Sequence, residues 1–187
     1  MRAPDSPIAM KTVSPPPFGP GQSHDHDRIR VVERAGQLAV VAASPMLAGT
    51  EILYFDGQVV PHASRYSVQV GIDEHIELLG ESGDCDRSRR HAWRYLNHSC
   101  DPSAAPRGRV LVALRDLAPG DQITFDYEAN EWQMAEPFLC GCGAAGCRGW
   151  IRGYGLLTRE QRARLAVAVS PHLLALDRPI EPMDPVR

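Results

Sequence analysis

The sequence predicts a mainly β domain made of several small sheets, and three observations predict it. Short β-type runs of four to six residues recur between residues 29 and 127, glycine, proline or asparagine separates most of them, and the clearest helix start comes late, at Thr158. In chain order the expected strands are Ile29–Val32, Gln37–Ala42, Glu51–Phe55, Tyr66–Val70, His75–Leu78, Arg109–Leu114 and Gln122–Tyr127. Turns such as Phe55-Asp56-Gly57-Gln58 and Ala118-Pro119-Gly120-Asp121 are expected to join neighbours. At Thr158 a hydroxyl three residues before Gln161 makes a capping-box pattern, and Leu165, Val167 and Val169 carry the helix on toward Pro171.

Composition narrows the class. The chain has 187 residues, a formal charge of -3, 43% apolar residues and 23% charged residues, ordinary values for one globular domain with appendages. No apolar run reaches the roughly 18 to 20 residues of a membrane span, and the start, MRAPDSPIAMKTVSPPPF, lacks the apolar core of a secretion signal. A cytoplasmic protein is expected. Residues 1–27 hold six prolines and end in His24-Asp25-His26-Asp27, which reads as a disordered, solvated arm. From Arg28 to Leu139 there are 11 basic and 16 acidic residues, whereas residues 140 to 165 carry five Arg against Glu160 alone. An acidic core suits a cationic peptide better than a phosphate backbone, so direct nucleic-acid binding is not expected.

The cysteines carry the first chemical signal. There are five, an odd number, and Cys140, Cys142 and Cys147 crowd into eight residues among glycines, which argues for metal binding rather than a disulfide framework. Glycine permits the positive backbone angles that let sulfurs converge. A structural zinc takes four ligands, so a fourth must come from Cys100, Cys85 or a histidine. Cys100 is favoured because it sits in Asn97-His98-Ser99-Cys100-Asp101-Pro102, where an Asx-Pro turn can hold a thiol rigidly, while Cys85 lies in a polar stretch.

Three ordered segments, Arg94-Tyr95-Leu96-Asn97-His98-Ser99-Cys100-Asp101-Pro102, Gly120-Asp121-Gln122-Ile123-Thr124-Phe125-Asp126-Tyr127 and Cys-x-Cys-x4-Cys-Arg-Gly, closely resemble the SET-domain protein lysine methyltransferases with a post-SET zinc segment. The resemblance runs from about Arg28 to Tyr154. It implies a β-clip fold containing a pseudoknot, with the SET domain over 28–139, a post-SET zinc segment over 140–155, and a C-terminal helix and tail over 156–187. It implies S-adenosylmethionine as the cofactor, held by Asn97 and His98, and a structural Zn2+ on Cys100, Cys140, Cys142 and Cys147. By the same resemblance Tyr127 matches the catalytic tyrosine, which also touches the cofactor, and Phe125 matches the aromatic that limits product methylation, with phenylalanine implying di- or trimethylation. Tyr66 and Tyr154 are candidate walls of the substrate channel, with core packing as the alternative for each, and Trp150 is expected to wall the cofactor pocket.

Two departures stand out. The early Gly-x-Gly, where the family's cofactor approaches the backbone, is reduced here to Gly36, the implied cofactor contact within Arg34-Ala35-Gly36-Gln37-Leu38, and Ser103 replaces the asparagine common after the Asn-His-Ser-Cys-x-Pro run. The expected activity is methyl transfer to the ε-amine of lysine in a protein or basic peptide. The competing expectation is a zinc-stabilised binding module without turnover, which takes a basic peptide or, through Arg148, Arg152, Arg159, Arg162 and Arg164, an acidic one. The chemistry needs an unprotonated amine, and lysine ordinarily titrates near pH ~10.4, so an apolar channel that disfavours the ammonium is required.

Overall fold

The computed structural model describes residues 27–78 and 89–177. The expected arm up to His26, Cys85 and residues 178–187 lie outside the described residues. The chain opens with a hairpin of β1 (Ile29–Arg34) and β2 (Gln37–Ala42), in full antiparallel register. Its two-residue turn, Ala35-Gly36, has φ of 48° and 76°, the left-handed pair that matches strand twist in tight hairpins.

β3 (Glu51–Tyr54) and β4 (Gln58–Val60) follow, then β5 (Val68–Gly71) and β6 (Glu74–Glu77). A kinked 3-10 segment, Arg89–Tyr95, leads into the two-residue β7 (Asn97–His98). Next come β8 (Ala104–Arg107), β9 (Val110–Ala113), β10 (Thr124–Phe125), β11 (Phe138–Leu139) and β12 (Trp150–Ile151). Two short helices close the described chain, α1 (Arg159–Leu165) and α2 (Pro171–Leu176). The sheets are β1-β2, β3-β9-β8, β4-β6-β5, β11-β12 and the parallel pair β7-β10. Mainly β architecture in small sheets is the expected class. Among the described residues, no helix is long and apolar enough to cross a membrane.

One apolar cluster sits between the sheets, with Phe55, Ile76, Leu111 and Ile123 fully buried and Trp93 edge-on to Phe55 at 6.1 Å. A second cluster, with Tyr154, Leu157, Leu165, Val169 and Leu173, docks the C-terminal helices.

Several local expectations need correcting. Phe55-Asp56-Gly57-Gln58 does connect β3 to β4, but these strands enter different sheets, so the turn joins layers rather than paired neighbours. Gly57 is required there because a Cβ would lie 2.7 Å from the Glu77 carbonyl oxygen. The run Gln122–Tyr127 is not one strand: only Thr124–Phe125 pairs, and Tyr127 begins a 3-10 turn because the Asp126 side chain accepts the Glu128 N–H at 3.0 Å. Thr158 and Gln161 form the reciprocal cap as expected, at 2.9 and 3.2 Å. However, the helix does not run to Pro171. It ends at Leu165, passes through a 3-10 turn, and Pro171 starts α2, where a missing N–H costs nothing. Val167 is consequently exposed while Leu165 and Val169 are buried.

Candidate active site and cysteine cluster

The parallel pairing of β7 with β10 sets Asn97 opposite Thr124 and His98 opposite Phe125. This register delivers the 3-10 turn that follows β10 directly to His98. The Tyr127 N–H donates to His98 Nδ1 at 3.2 Å, and the Tyr127 phenol donates to the Leu96 carbonyl oxygen at 2.7 Å. An accepting Nδ1 leaves the ring proton on Nε2, which faces Cys100 Sγ at 3.3 Å. Burial, reinforced by the Arg148 charge, lowers the His98 pKa to about 4, so the ring is neutral at pH 7. Its 3.7 Å approach to Asp126 is therefore not an ion pair. Asn97 Nδ2 donates to the Leu38 carbonyl oxygen at 3.1 Å, tying this loop to the first hairpin.

A cavity of about 80 Å³ opens beside these residues, lined by Tyr66, Val68, Trp93, Leu96, Phe125, Tyr127, Glu131 and Met134 among others. Phe125 is buried and packs on Tyr127 with ring centroids 4.8 Å apart. Burial first, then the Glu131 charge, push the Tyr127 phenol above its ordinary value, so it stays protonated and able to donate. Tyr66 stands exposed at the rim with the guanidinium groups of Arg65 and Arg94 at 5.7 and 5.4 Å from its ring.

The structure thus brings Tyr66, Phe125 and Tyr127 to one cavity. It does not bring Tyr154 there. That side chain is buried in the second apolar cluster, 6.1 Å from the Trp132 ring, with its hydroxyl on Asp177 at 3.3 Å. Tyr154 is the core-packing alternative realised, because Gly153 at φ 121° turns the chain inward just before it. Trp150 lies outside the cavity too, exposed on β12 opposite the exposed Leu139. Gly36 occupies the hairpin turn with open space around it.

Cys100, Cys140, Cys142 and Cys147 converge, their sulfurs all within 4.8 Å of one another. A tetrahedral ion with Zn to S bonds near 2.3 Å needs sulfurs about 3.8 Å apart, so this cluster fits one with a small contraction. Positive φ at Gly143 (73°) and Gly149 (75°) lets the loop double back, and Cys140 N–H meets the Gly149 carbonyl oxygen at 2.6 Å. The Cys142 N–H points at Cys140 Sγ at 3.3 Å. Burial works against ionisation of Cys142, but N–H donors from Cys100 and Ala144, with the neighbouring thiols, outweigh it and lower its pKa to about 6. Donors aimed at Cys142 favour its thiolate, whereas burial holds the Cys100 and Cys140 thiols above their ordinary values.

Comparison with known proteins agrees with this arrangement. A family model described as "SET domain" matches residues 37–128. The chain carries a SET domain. It is 37% identical over 97 residues to the methyltransferase flvH of Aspergillus flavus, covering 50% of this chain and 48% of that protein. It is 30% identical over 126 residues to an H3 lysine-4 specific histone-lysine N-methyltransferase of Debaryomyces hansenii, covering 59% of this chain and 12% of the relative. It is also 37% identical over 86 residues to the histone-lysine N-methyltransferase Set2 of Drosophila melanogaster, covering 42% of this chain and 4% of the relative. The chain therefore spans less than half the length of each of these relatives.

Sequence reasoning missed a charged lock behind the turn that begins at Tyr127. Arg148 donates to both Asp126 carboxylate oxygens at 2.5 and 2.7 Å and to Glu128 Oε2 at 2.6 Å, with both acids buried. The other Glu128 oxygen accepts the N–H groups of Arg152 and Gly153 at 2.8 and 3.2 Å. Burial opposes the guanidinium charge, but the Asp126 and Glu128 carboxylates outweigh it and hold Arg148 above its ordinary pKa. The available signal was two acids flanking Tyr127 in an apolar run and an arginine directly after the last cysteine. Ser103 is less limiting than its size implies. Buried, it accepts the Thr124 N–H at 3.0 Å and donates to the Gln122 carbonyl oxygen at 3.1 Å, bracing β10 from behind.

Proposed function

We propose that this chain transfers methyl groups from S-adenosylmethionine to the ε-amine of lysine in a protein or peptide, with a structural zinc on its four cysteines. The observation that carries the reading is the juxtaposition of Tyr127, anchored to Leu96 and His98, with Phe125 on one wall of a largely apolar cavity. The names of the relatives, methyltransferase and histone-lysine N-methyltransferase, support the same reaction class and a lysine-bearing protein substrate.

The chain's own residues fit both groups. The sulfur cluster, with N–H donors aimed into it, suits a closed tetrahedral zinc, and four thiolates leave no position for a catalytic water. Exposed Leu139 and Trp150 lie side by side on β11–β12, next to Phe138, whose ring is 5.8 Å from His98. They offer an apolar face for the flat base of the adenosyl group, beside the Asn97-His98 loop. When bound, S-adenosylmethionine supplies an electrophilic methyl on a sulfonium. The protein's part is to align the amine about 3 to 3.5 Å from that carbon and exclude water. Tyr127 presents its phenol oxygen to the developing positive charge, and Phe125 leaves space for a methylated amine to turn and react again, which supports di- or trimethylation.

The test is incubation with labelled S-adenosylmethionine and a lysine-peptide panel, comparing the chain with Tyr127→Phe at matched thermal stability. We expect transfer by the former to exceed that by the variant by about 100-fold or more. Equal incorporation sinks the catalytic assignment and leaves the binding-module reading. Phe125→Tyr is expected to shift products toward monomethyl-lysine, read by mass spectrometry.

A further inference from the structure

We propose that Glu131 is the residue of this cavity that receives the cationic substrate amine and accepts its proton. The inference rests on reading the cavity as a lysine channel, and it adds a role that the aromatic residues cannot fill.

Glu131 is the only carboxylate among the described residues lining the cavity, and its N–H donates to the Tyr127 carbonyl oxygen at 2.7 Å. Its two oxygens are unequally satisfied. Oε1 accepts the Gln69 N–H at 2.8 Å and Asn130 Nδ2 at 3.0 Å, whereas the nearest basic atom to Oε2, His75 Nε2, is 4.0 Å away and beyond hydrogen-bond range. The two bonds to Oε1 need only a neutral carbonyl oxygen, which glutamine supplies without the cost of burying a charge. Retaining an acid here calls for a use of Oε2. Among the described residues, His75 Nδ1, on the far side of that ring, is itself buried without a hydrogen-bond partner.

Two guanidinium groups of the cavity lining, Arg65 and Arg94, are held over the ring of Tyr66 at the rim, and the titratable side chains packed around Glu131 are neutral. From β6, His75 has its pKa lowered by burial and then by His172. From α2, His172 is lowered by burial, and its Nε2 lies 2.8 Å from the Asn130 carbonyl oxygen. Both rings are therefore neutral at pH 7. From the turn after β10, Tyr127 stays a neutral phenol. Burial pushes Glu131 itself up to about 7, which matches a group that must both take and return a proton near neutrality.

The step balances simply. A proton leaves the ammonium nitrogen for Glu131 Oε2, and the N–H bonding pair remains on nitrogen as the lone pair. That lone pair forms the bond to the methyl carbon, while the pair of the broken carbon–sulfur bond departs with sulfur. After product leaves, the Glu131 acid returns its proton to water.

The test uses the zinc-loaded full chain with n-butylamine as a lysine side-chain probe and n-butanol as its neutral match, followed through the Tyr127 ring resonances. At pH 8 we expect butylammonium to bind about 10-fold tighter than butanol, the preference vanishing in Glu131→Gln. Its affinity should also rise as pH increases from 6 to 8, since Glu131 ionises in that window, a readout that needs no variant. An equal affinity for both probes, a preference that survives in Glu131→Gln, or a flat pH dependence overturns the proposal. A second readout is the pH profile of methyl transfer to core histones, whose limb near pH 7 should disappear in Glu131→Gln. Absence of transfer by the unmodified chain would instead count against the proposed enzyme, and the amine preference would still be decided by the probes.

Discussion

The inner wall of the cavity and the cysteine tail meet at His98 and Cys100, 3.3 Å apart, but are held by different forces. The wall is built on the apolar cluster, where Phe55, Ile76, Leu111 and Ile123 are fully out of water. The tail from Leu139 to Trp150 contributes no buried apolar residue, and those two end residues are 69% and 58% exposed. What fixes the tail is four converging sulfurs, the Arg148 pairs with Asp126 and Glu128, and a few backbone bonds. Packing is hard to switch off, whereas coordination and buried charge pairs depend on single groups. The contrast teaches that these two neighbouring regions can be dissected separately.

The largest expected effect comes from metal removal. Structural zinc sites contribute on the order of 10 kcal/mol to the order of their ligands, so chelation should abolish amide protection across 140–150 and lower methyl transfer by about 100-fold or more. Hydrogen exchange in β3, β8 and β9 should change little. Loss of protection there would break the comparison, because it would make the core depend on the metal. Cys100→Ala is the matching variant, and elemental analysis should find about one zinc per chain missing.

Phe55→Ala probes the other side. Removing a fully buried ring costs about 3 to 5 kcal/mol, and urea melts should give the same loss with or without chelator. Arg148→Ala should cost about 3 kcal/mol, since it leaves Asp126 and Glu128 buried without their cation, and it should weaken metal retention as well. A penalty that vanishes in the metal-free protein would sharpen the picture, placing the charge pairs and the metal in one cooperative unit. The smallest effect is expected from Thr158→Ala, which removes the cap of α1 for about 1 kcal/mol and should leave metal content and transfer unchanged.

Much of this arrangement was legible in the residues. Period-two runs and turn residues located most of the longer strands, though not β4 or β8, and ligand counting with the Asx-Pro turn favoured Cys100 as the fourth sulfur. The two-residue strands β7, β11 and β12 were not legible, because so short a segment has no periodicity and exists only through what it pairs with. Tyr154 misled for a related reason: an aromatic after the cysteines looks the same whether it faces a channel or a core, and only the turn at Gly153 decides. Asp126, Glu128 and Arg148 were hidden because charge pairing between residues twenty or more positions apart follows from tertiary placement, which no local pattern reports.

The parallel pairing of Asn97–His98 with Thr124–Phe125 carries a kinetic consequence. These strands cannot meet until the intervening residues, with the whole β8–β9 hairpin, have collapsed between them. Such non-local closure slows folding toward the millisecond-to-second range. It also sets an order during synthesis. The ribosome releases Cys100 well before Cys140, and the intervening loop must first find its register. The proposed zinc would thus arrive late, as the latch on a folded core rather than the template around which that core forms.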